Sequence, residues 1–207
     1  MKRLLFTCLV FVLSSISVSA QEVQEGVNFV RLSAPQPTQT ENKIEVLELF
    51  WYHCPHCYRL EPYLKRWLKN KPDNVAYVRM PAILNDHWRN DAHAFYTMQA
   101  LGLMETLHDA YFSVLHEERK RIVTAEHFSD WAAEHGADRQ KVLETFNSMG
   151  VISRVNKAIL MTRNYQADGV PTIIVGGTYR TSVSMAGGPN ELIDIINHLA
   201  AKVQEER

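Results

Sequence analysis

The chain has 207 residues, of which 22% are charged and 46% hydrophobic, with a formal net charge of -1. That length suits one domain, or one domain carrying a sizeable insertion. The charge balance leaves no basic excess to draw nucleic acid and no acidic tail, and the composition is that of a globular chain rather than a disordered one.

Lys2 and Arg3 open the chain with positive charge. Residues 4–13 are apolar apart from Thr7 and Cys8, and residues 14–20 are small or polar, ending in Val18-Ser19-Ala20. This is the pattern of a secretory signal peptide, with cleavage expected after Ala20. The apolar run is too short to cross about 30 Å of hydrocarbon, which argues against a membrane anchor. A lipoprotein leader would place a cysteine at the end of that run, whereas Cys8 lies near its start.

Residues 27–32 alternate weakly, as a strand does, and residues 33–42, with Pro35 and Pro37, read as a linker. Residues 43–52 (KIEVLELFWY) are rich in β-branched and aromatic side chains and predict a largely buried strand. It runs into Cys54-Pro55-His56-Cys57, after which Leu60, Leu64, Trp67 and Leu68 recur at helical spacing to about residue 69. Pro62 lies inside that helix and is expected to kink it. Residues 75–80 predict a second strand. From about residue 91 to 165 the pattern is helical, with Gly102, Gly136 and Gly150 as breaks and Thr124 as a cap. Strand character returns over 170–175, followed by a Gly176-Gly177 hairpin signal and a strand over 178–181. After Gly187-Gly188-Pro189, a helix over 191–203 carries one apolar stripe: Leu192, Ile195, Ile196, Leu199 and Val203. The order βαβ, helical block, ββα resembles an α/β thioredoxin-like fold with an inserted all-helical domain. The expected division is a signal peptide over 1–20, a first thioredoxin-like part over 21–82, the helical insert over 83–165 and a second thioredoxin-like part over 166–207.

Without the leader only Cys54 and Cys57 remain. An exported chain meets an oxidising compartment, but two cysteines three apart constrain almost no loop entropy, so the pair points to chemistry rather than scaffolding. Between a strand and a helix, Cys54 falls at the helix N-terminus, where free N–H groups and about half a positive charge favour a thiolate. Cys57, one turn inside, is expected to be buried and protonated, leaving Cys54 to enter mixed disulfides. His56 beside Cys54 offers a hydrogen bond or a charge to the thiolate, and Pro55-His56 thereby bears on the redox poise. A Cys54 pKa of about 4 would favour the reduced form at pH 7 by about 4 kcal/mol, on the order of 90 mV for a two-electron couple. A zinc site made of His53, Cys54, His56 and Cys57 is the competing reading. It is disfavoured because four ligands within five residues seldom wrap one ion.

Glu48 interrupts the apolar strand six residues before Cys54, on the opposite face from Glu45. A buried carboxylate is costly and has a raised pKa. Glu48 is read as a buried proton acceptor serving Cys57, the alternative being that it faces solvent. The remaining histidines, His87, His93, His108, His116, His127, His135 and His198, read as surface or partly buried helix residues.

These residues resemble the DsbA family, the periplasmic disulfide-donating proteins of Gram-negative bacteria. The resemblance covers nearly all of the mature chain and rests on Val46-Leu47-Glu48, on Cys54-Pro55-His56-Cys57-Tyr58 and on Gly169-Val170-Pro171. His53 stands where the family carries an aromatic residue, and Thr172 where its best-known member has alanine. The resemblance implies a low-pKa Cys54, and a cis Pro171 facing the cysteines whose loop (Gly169, Val170) pairs with an extended substrate. It also implies an ionic network of Glu61 and Arg79 with Glu48. It further implies reduced exported proteins as substrates, a quinone-linked membrane partner of the DsbB type as reoxidant, a periplasmic location, a monomer, and neither cofactor nor metal. Two alternatives stay open: an isomerase or reductase of the same fold, disfavoured by the short segment before the linker, and a peptide-binding chaperone that keeps an idle CxxC.

Overall fold

The computed structural model describes residues 23–207; the expected signal segment, residues 1–20, lies outside the described residues. Strand β1 is Val30–Arg31 and β2 is Ile44–Phe50, followed by helix α1, Pro55–Leu68, and β3, Val75–Pro81. A single 3-10 turn at Asp86–Trp88 leads into five helices: α2 (Arg89–Ala100), α3 (Met104–His116), α4 (Ala125–Glu134), α5 (Arg139–Phe146) and α6 (Met149–Asn164). The chain closes with β4 (Thr172–Val175), β5 (Tyr179–Ser182), the short α7 (Val183–Ala186) and α8 (Pro189–Glu205). This is a thioredoxin-like fold with a helical insertion.

The sheet order is β1-β5-β4-β2-β3. Strand β2 pairs parallel with β3 and antiparallel with β4, and all seven of its residues are buried. Burial on both faces explains why it reads as a near-continuous apolar run. Alternation splits it between two cores. Val46 packs with Leu60 and Leu64 of α1 and Ile196 of α8, while Leu47 and Leu49 pack with Phe95, Tyr111 and Phe112 of the helical block. The sheet is therefore the partition between the helices α1 and α8 and the insertion.

Several boundaries differ from the sequence expectation. The strand expected over 27–32 shrinks to Val30–Arg31, because only that pair reaches β5. Gly150 is no break. Ser148 caps Val151 N–H at 3.3 Å and starts α6 at Met149, so Gly150 lies in a first turn whose N–H groups lack helical partners anyway. His108 is 5% exposed and sits inside the aromatic core, not at the surface. Among the described residues no helix is long and apolar enough to cross a membrane.

The β4–β5 hairpin turns on Gly176 and Gly177 at φ +58° and +66°. A side chain at 177 would collide with the Gln36 carbonyl oxygen, whereas one at Gly136 (φ +87°) meets nothing. Gly136→Ala is expected to cost about 1 kcal/mol, the left-handed penalty alone. Gly177→Ala is expected to cost roughly 2–4 kcal/mol, the same penalty plus overpacking. Urea unfolding of the two variants measures the difference, and equal losses would refute the close approach.

Candidate redox site

Four residues, 51–54, join the end of β2 to the start of α1. Cys54 is the N-cap of α1, with Pro55 at the first helical position, where its missing N–H costs nothing. The Cys57 N–H points at Cys54 Sγ at 3.5 Å, and the Cys54 thiol reaches the Val170 carbonyl at 3.4 Å. Both cysteines are free thiols in this structure. Cys54 is 7% exposed and Cys57 fully buried.

The two sulfurs have opposite electrostatics. Cys54 is lowered to about 6, first by a hydrogen bond from the Cys57 thiol, then by the Cys57 and His56 backbone N–H groups and the charge of His56; burial opposes this. Cys57 is raised well above an ordinary thiol, first by burial and then by its neighbours Cys54 and Glu48. A shift from the usual 9.0 to about 6 favours the ionised reduced form at pH 7 by about 1.4 kcal/mol, or roughly 30 mV. That is about a third of the effect expected for a pKa of about 4.

Near the motif lies a buried ionic cluster. Glu48 is 0% exposed. Its Oε2 accepts from the Tyr77 hydroxyl and from Arg79 Nε, the latter at 3.3 Å, while Oε1 has no partner. Arg79 Nη2 also donates to both oxygens of Glu61, at 3.0 and 2.8 Å. Register accounts for part of this: Glu48 stands directly beside Arg79 in the parallel β2–β3 pair, with Tyr77 on the same face two residues away. Burial pushes Glu48 up, and Arg79 only partly offsets it. Burial also pushes Glu61 up, but His108 and Arg79 outweigh it, so Glu61 is lowered.

The helical insertion braces the junction through residues that the sequence reading did not single out. His116 Nε2 on α3 hydrogen-bonds the Tyr52 carbonyl at 2.7 Å, and the Tyr52 hydroxyl meets His108 Nδ1 at 2.6 Å. His53 Nδ1 pairs with Asp91 Oδ2 of α2 at 2.7 Å, and Tyr111 donates to the other Asp91 oxygen at 3.2 Å. The hydrogen bond from Asp91 raises the His53 pKa. Trp51 stacks on Trp88 at 4.3 Å, and Tyr58 on His116 at 4.7 Å. His56 is exposed, and its Nδ1 accepts from Arg59 at 2.9 Å.

The Val170–Pro171 peptide bond is cis. Gly169, Val170 and Pro171 form one wall of a cleft of about 510 Å³ that His56 also borders. The structure therefore gathers Cys54, Pro55, His56 and the 169–171 loop, with Cys57 buried one turn inside and Glu48, Glu61 and Arg79 in a separate cluster. Among the described residues His53, Cys54, His56 and Cys57 do not converge as ligands. A different trio, Glu61, His108 and Asp109, brings ligand atoms within 4.8 Å of one another. Arg79 already holds Glu61, and Lys65 holds Asp109 at 2.7 Å, so a cation there would meet two positive charges.

Residues 45–192 match the family model described as DSBA-like thioredoxin domain. The chain is 37% identical over 204 residues to the thiol:disulfide interchange protein DsbA of Pseudomonas aeruginosa, covering 98% of this chain and 97% of that one. It is 35% identical over 191 residues to the protein of the same name from Azotobacter vinelandii, covering 92% and 88% of the two chains. The crystal structure of Pseudomonas aeruginosa DsbA superposes with a TM-score of 0.86 at 37% identity, over 90% of this chain and 97% of that one.

Two measurements check these electrostatics. Thiolate absorbance of the reduced protein is expected to titrate near 6 for Cys54, with no second thiol ionising before strong alkali. A folded pKa below the unfolded one stabilises the reduced protein at high pH, and the gain is lost as pH falls through 6. The oxidised protein lacks this group, so the stability of the reduced form relative to it is expected to rise by about 2 kcal/mol between pH 6 and 8. Asp91→Asn is expected to lower the His53 pKa in a proton NMR titration, because burial then acts without its counterweight. A His pKa raised by its partner stabilises at low pH, so that variant's stability loss, roughly 1–3 kcal/mol, is expected below pH 6 and to shrink as pH rises.

Proposed function

Because the chain belongs to the DSBA-like thioredoxin-domain family and is a thiol–disulfide oxidoreductase, we propose that it acts as a net donor of disulfides to reduced, newly exported proteins. The observation that carries this reading is the split between the two sulfurs, with Cys54 lowered to about 6 at the α1 N-cap and Cys57 raised in the interior.

The cycle begins with the Cys54–Cys57 disulfide. A substrate thiolate attacks Cys54 Sγ, forming a substrate–Cys54 disulfide and releasing Cys57 as a thiolate. Cys57 lies in a desolvated setting that disfavours that charge, so it takes up a proton. Glu48, raised by burial and with Oε1 free of hydrogen bonds, is suited to supply it. The substrate's second thiolate then attacks its own sulfur in the mixed disulfide and releases Cys54. Cys54 leaves readily because its thiolate is stabilised where it sits. The substrate has lost two electrons and the enzyme has gained them. In reoxidation the proton moves the other way, from Cys57 to Glu48, as Cys57 closes the ring. Arg79 and Glu61 act through Glu48, setting how readily it exchanges that proton. The cleft beside Gly169, Val170 and Pro171 is where an extended substrate segment would lie, by strand-like pairing with the loop next to Cys54.

The same proposal places the mature protein in the periplasm as a monomer, after removal of residues 1–20, with a quinone-linked membrane protein of the DsbB type as reoxidant. No step requires a metal or an organic cofactor.

Equilibration of the Cys54–Cys57 couple against glutathione tests the direction of electron flow. A potential clearly above thioredoxin's, about -270 mV, is expected; a value near it would make the protein a reductant. Cys57→Ser, which cannot close the internal disulfide, and Cys54→Ser are each expected to lose oxidation of a reduced test protein. Retention of activity by Cys54→Ser would turn the reading to a peptide-binding module.

A further inference from the structure

Away from the redox cleft, a second cavity of about 510 Å³ opens between α2, α6, strand β3 and the segment before β2. It shares no lining residue with the cleft beside Pro171. Its apolar lining includes Val78, Met80, Ala158 and Met161. Its volume falls in the range of small-molecule sites, roughly 300–1,000 Å³.

The charged groups that line it are all positive. Arg154 and Lys157, both exposed on α6, stand at its rim, and no carboxylate lines it. Among the described residues Arg154 contacts only the neutral Gln99, at 3.0 Å, and Lys157 has no ion-pair partner. Arg79 contributes to the lining from β3, but its guanidinium is committed to Glu48 and Glu61. Tyr96 and Tyr165 are buried rings whose hydroxyls find no hydrogen-bond partner among the described residues, and Arg154 lies near enough to act electrostatically on Tyr96. Glu45, the carboxylate that influences Tyr165, is 2% exposed and accepts from the Gln39 N–H at 2.6 Å. In a chain of net charge -1, two unpaired cations with two donor-capable phenols and an apolar lining are complementary to an anion with an apolar body.

We propose that this cavity binds a small amphipathic carboxylate. Its charge would sit between Arg154 and Lys157 within reach of the Tyr96 hydroxyl, and its hydrocarbon would rest on Met80 and Met161. Guanidinium–carboxylate bonds are charge-assisted and directional, which separates such a ligand from a neutral one of equal size. The occupant touches both the helical insertion and the sheet, and leaves the sulfurs untouched.

Octanoate is the probe, with octanol and octylammonium as neutral and cationic counterparts. Calorimetry on the full mature protein is expected to give one site for octanoate, at least tenfold tighter than for octanol, and none for octylammonium. Methyl and ring NMR shifts are expected at Met161 and Tyr96, not around Pro171. The double variant Arg154→Gln, Lys157→Gln is expected to weaken octanoate at least tenfold while oxidising a test protein at the unchanged rate. Its two side chains are exposed, so folding is retained, and circular dichroism verifies that. Equal binding of octanol, an unaffected double variant, shifts confined to the Pro171 cleft, or no detectable octanoate binding would each overturn the proposal.

Discussion

A negative charge on Cys54 has to be stabilised by the protein itself, since little water reaches a sulfur that is 7% exposed. The N-terminus of α1 does this with the Cys57 thiol and two backbone N–H groups aimed at one atom. Three residues on, the helix interior offers the second sulfur nothing comparable, and desolvation decides its state. A single helical turn thus separates two chemically identical groups into a good leaving group and a reluctant one.

The geometry of that turn is not maintained by α1 alone. Tyr52 and His53, the two residues before the motif, are tied to α2 and α3 by contacts to His116, His108 and Asp91, each between 2.6 and 2.7 Å. The helical insertion is therefore a brace for the redox turn as well as a cover for one face of the sheet. Two of its imidazoles are pushed in opposite directions: the hydrogen bond with Asp91 raises His53, and burial lowers His108.

Much of this was legible before the coordinates. The buried strand β2, the helix following the motif, the helical block and the Gly176-Gly177 hairpin all follow from local periodicity and turn chemistry, which act over a few residues. The burial of Glu48 was one of two readings the sequence left open; the same strand also carries Glu45, and both are buried. What escaped depends on distant segments meeting. Nothing around His108 marks it as a core residue: its burial comes from Tyr52, more than fifty positions earlier. Asp91 opens α2 like any helix-starting acid, and only the packing of α2 on the junction turns it toward His53. Tyr77 joins Glu48 through strand register, which pattern reading does not supply. The size of the Cys54 shift was likewise inaccessible, because it balances a hydrogen bond against burial within one turn.

The buried ionic cluster has a consequence for substitution. Arg79 stands between two buried carboxylates, Glu48 and Glu61. Losing the guanidinium would strand both acids without compensation, and losing either acid would leave the cation half satisfied; each single step costs several kcal/mol, roughly 3–5. Replacing all three at once by apolar residues of matching volume carries no such penalty. A single substitution at position 48, 61 or 79 is thus costlier than replacement of the set, so each of the three constrains change at the other two.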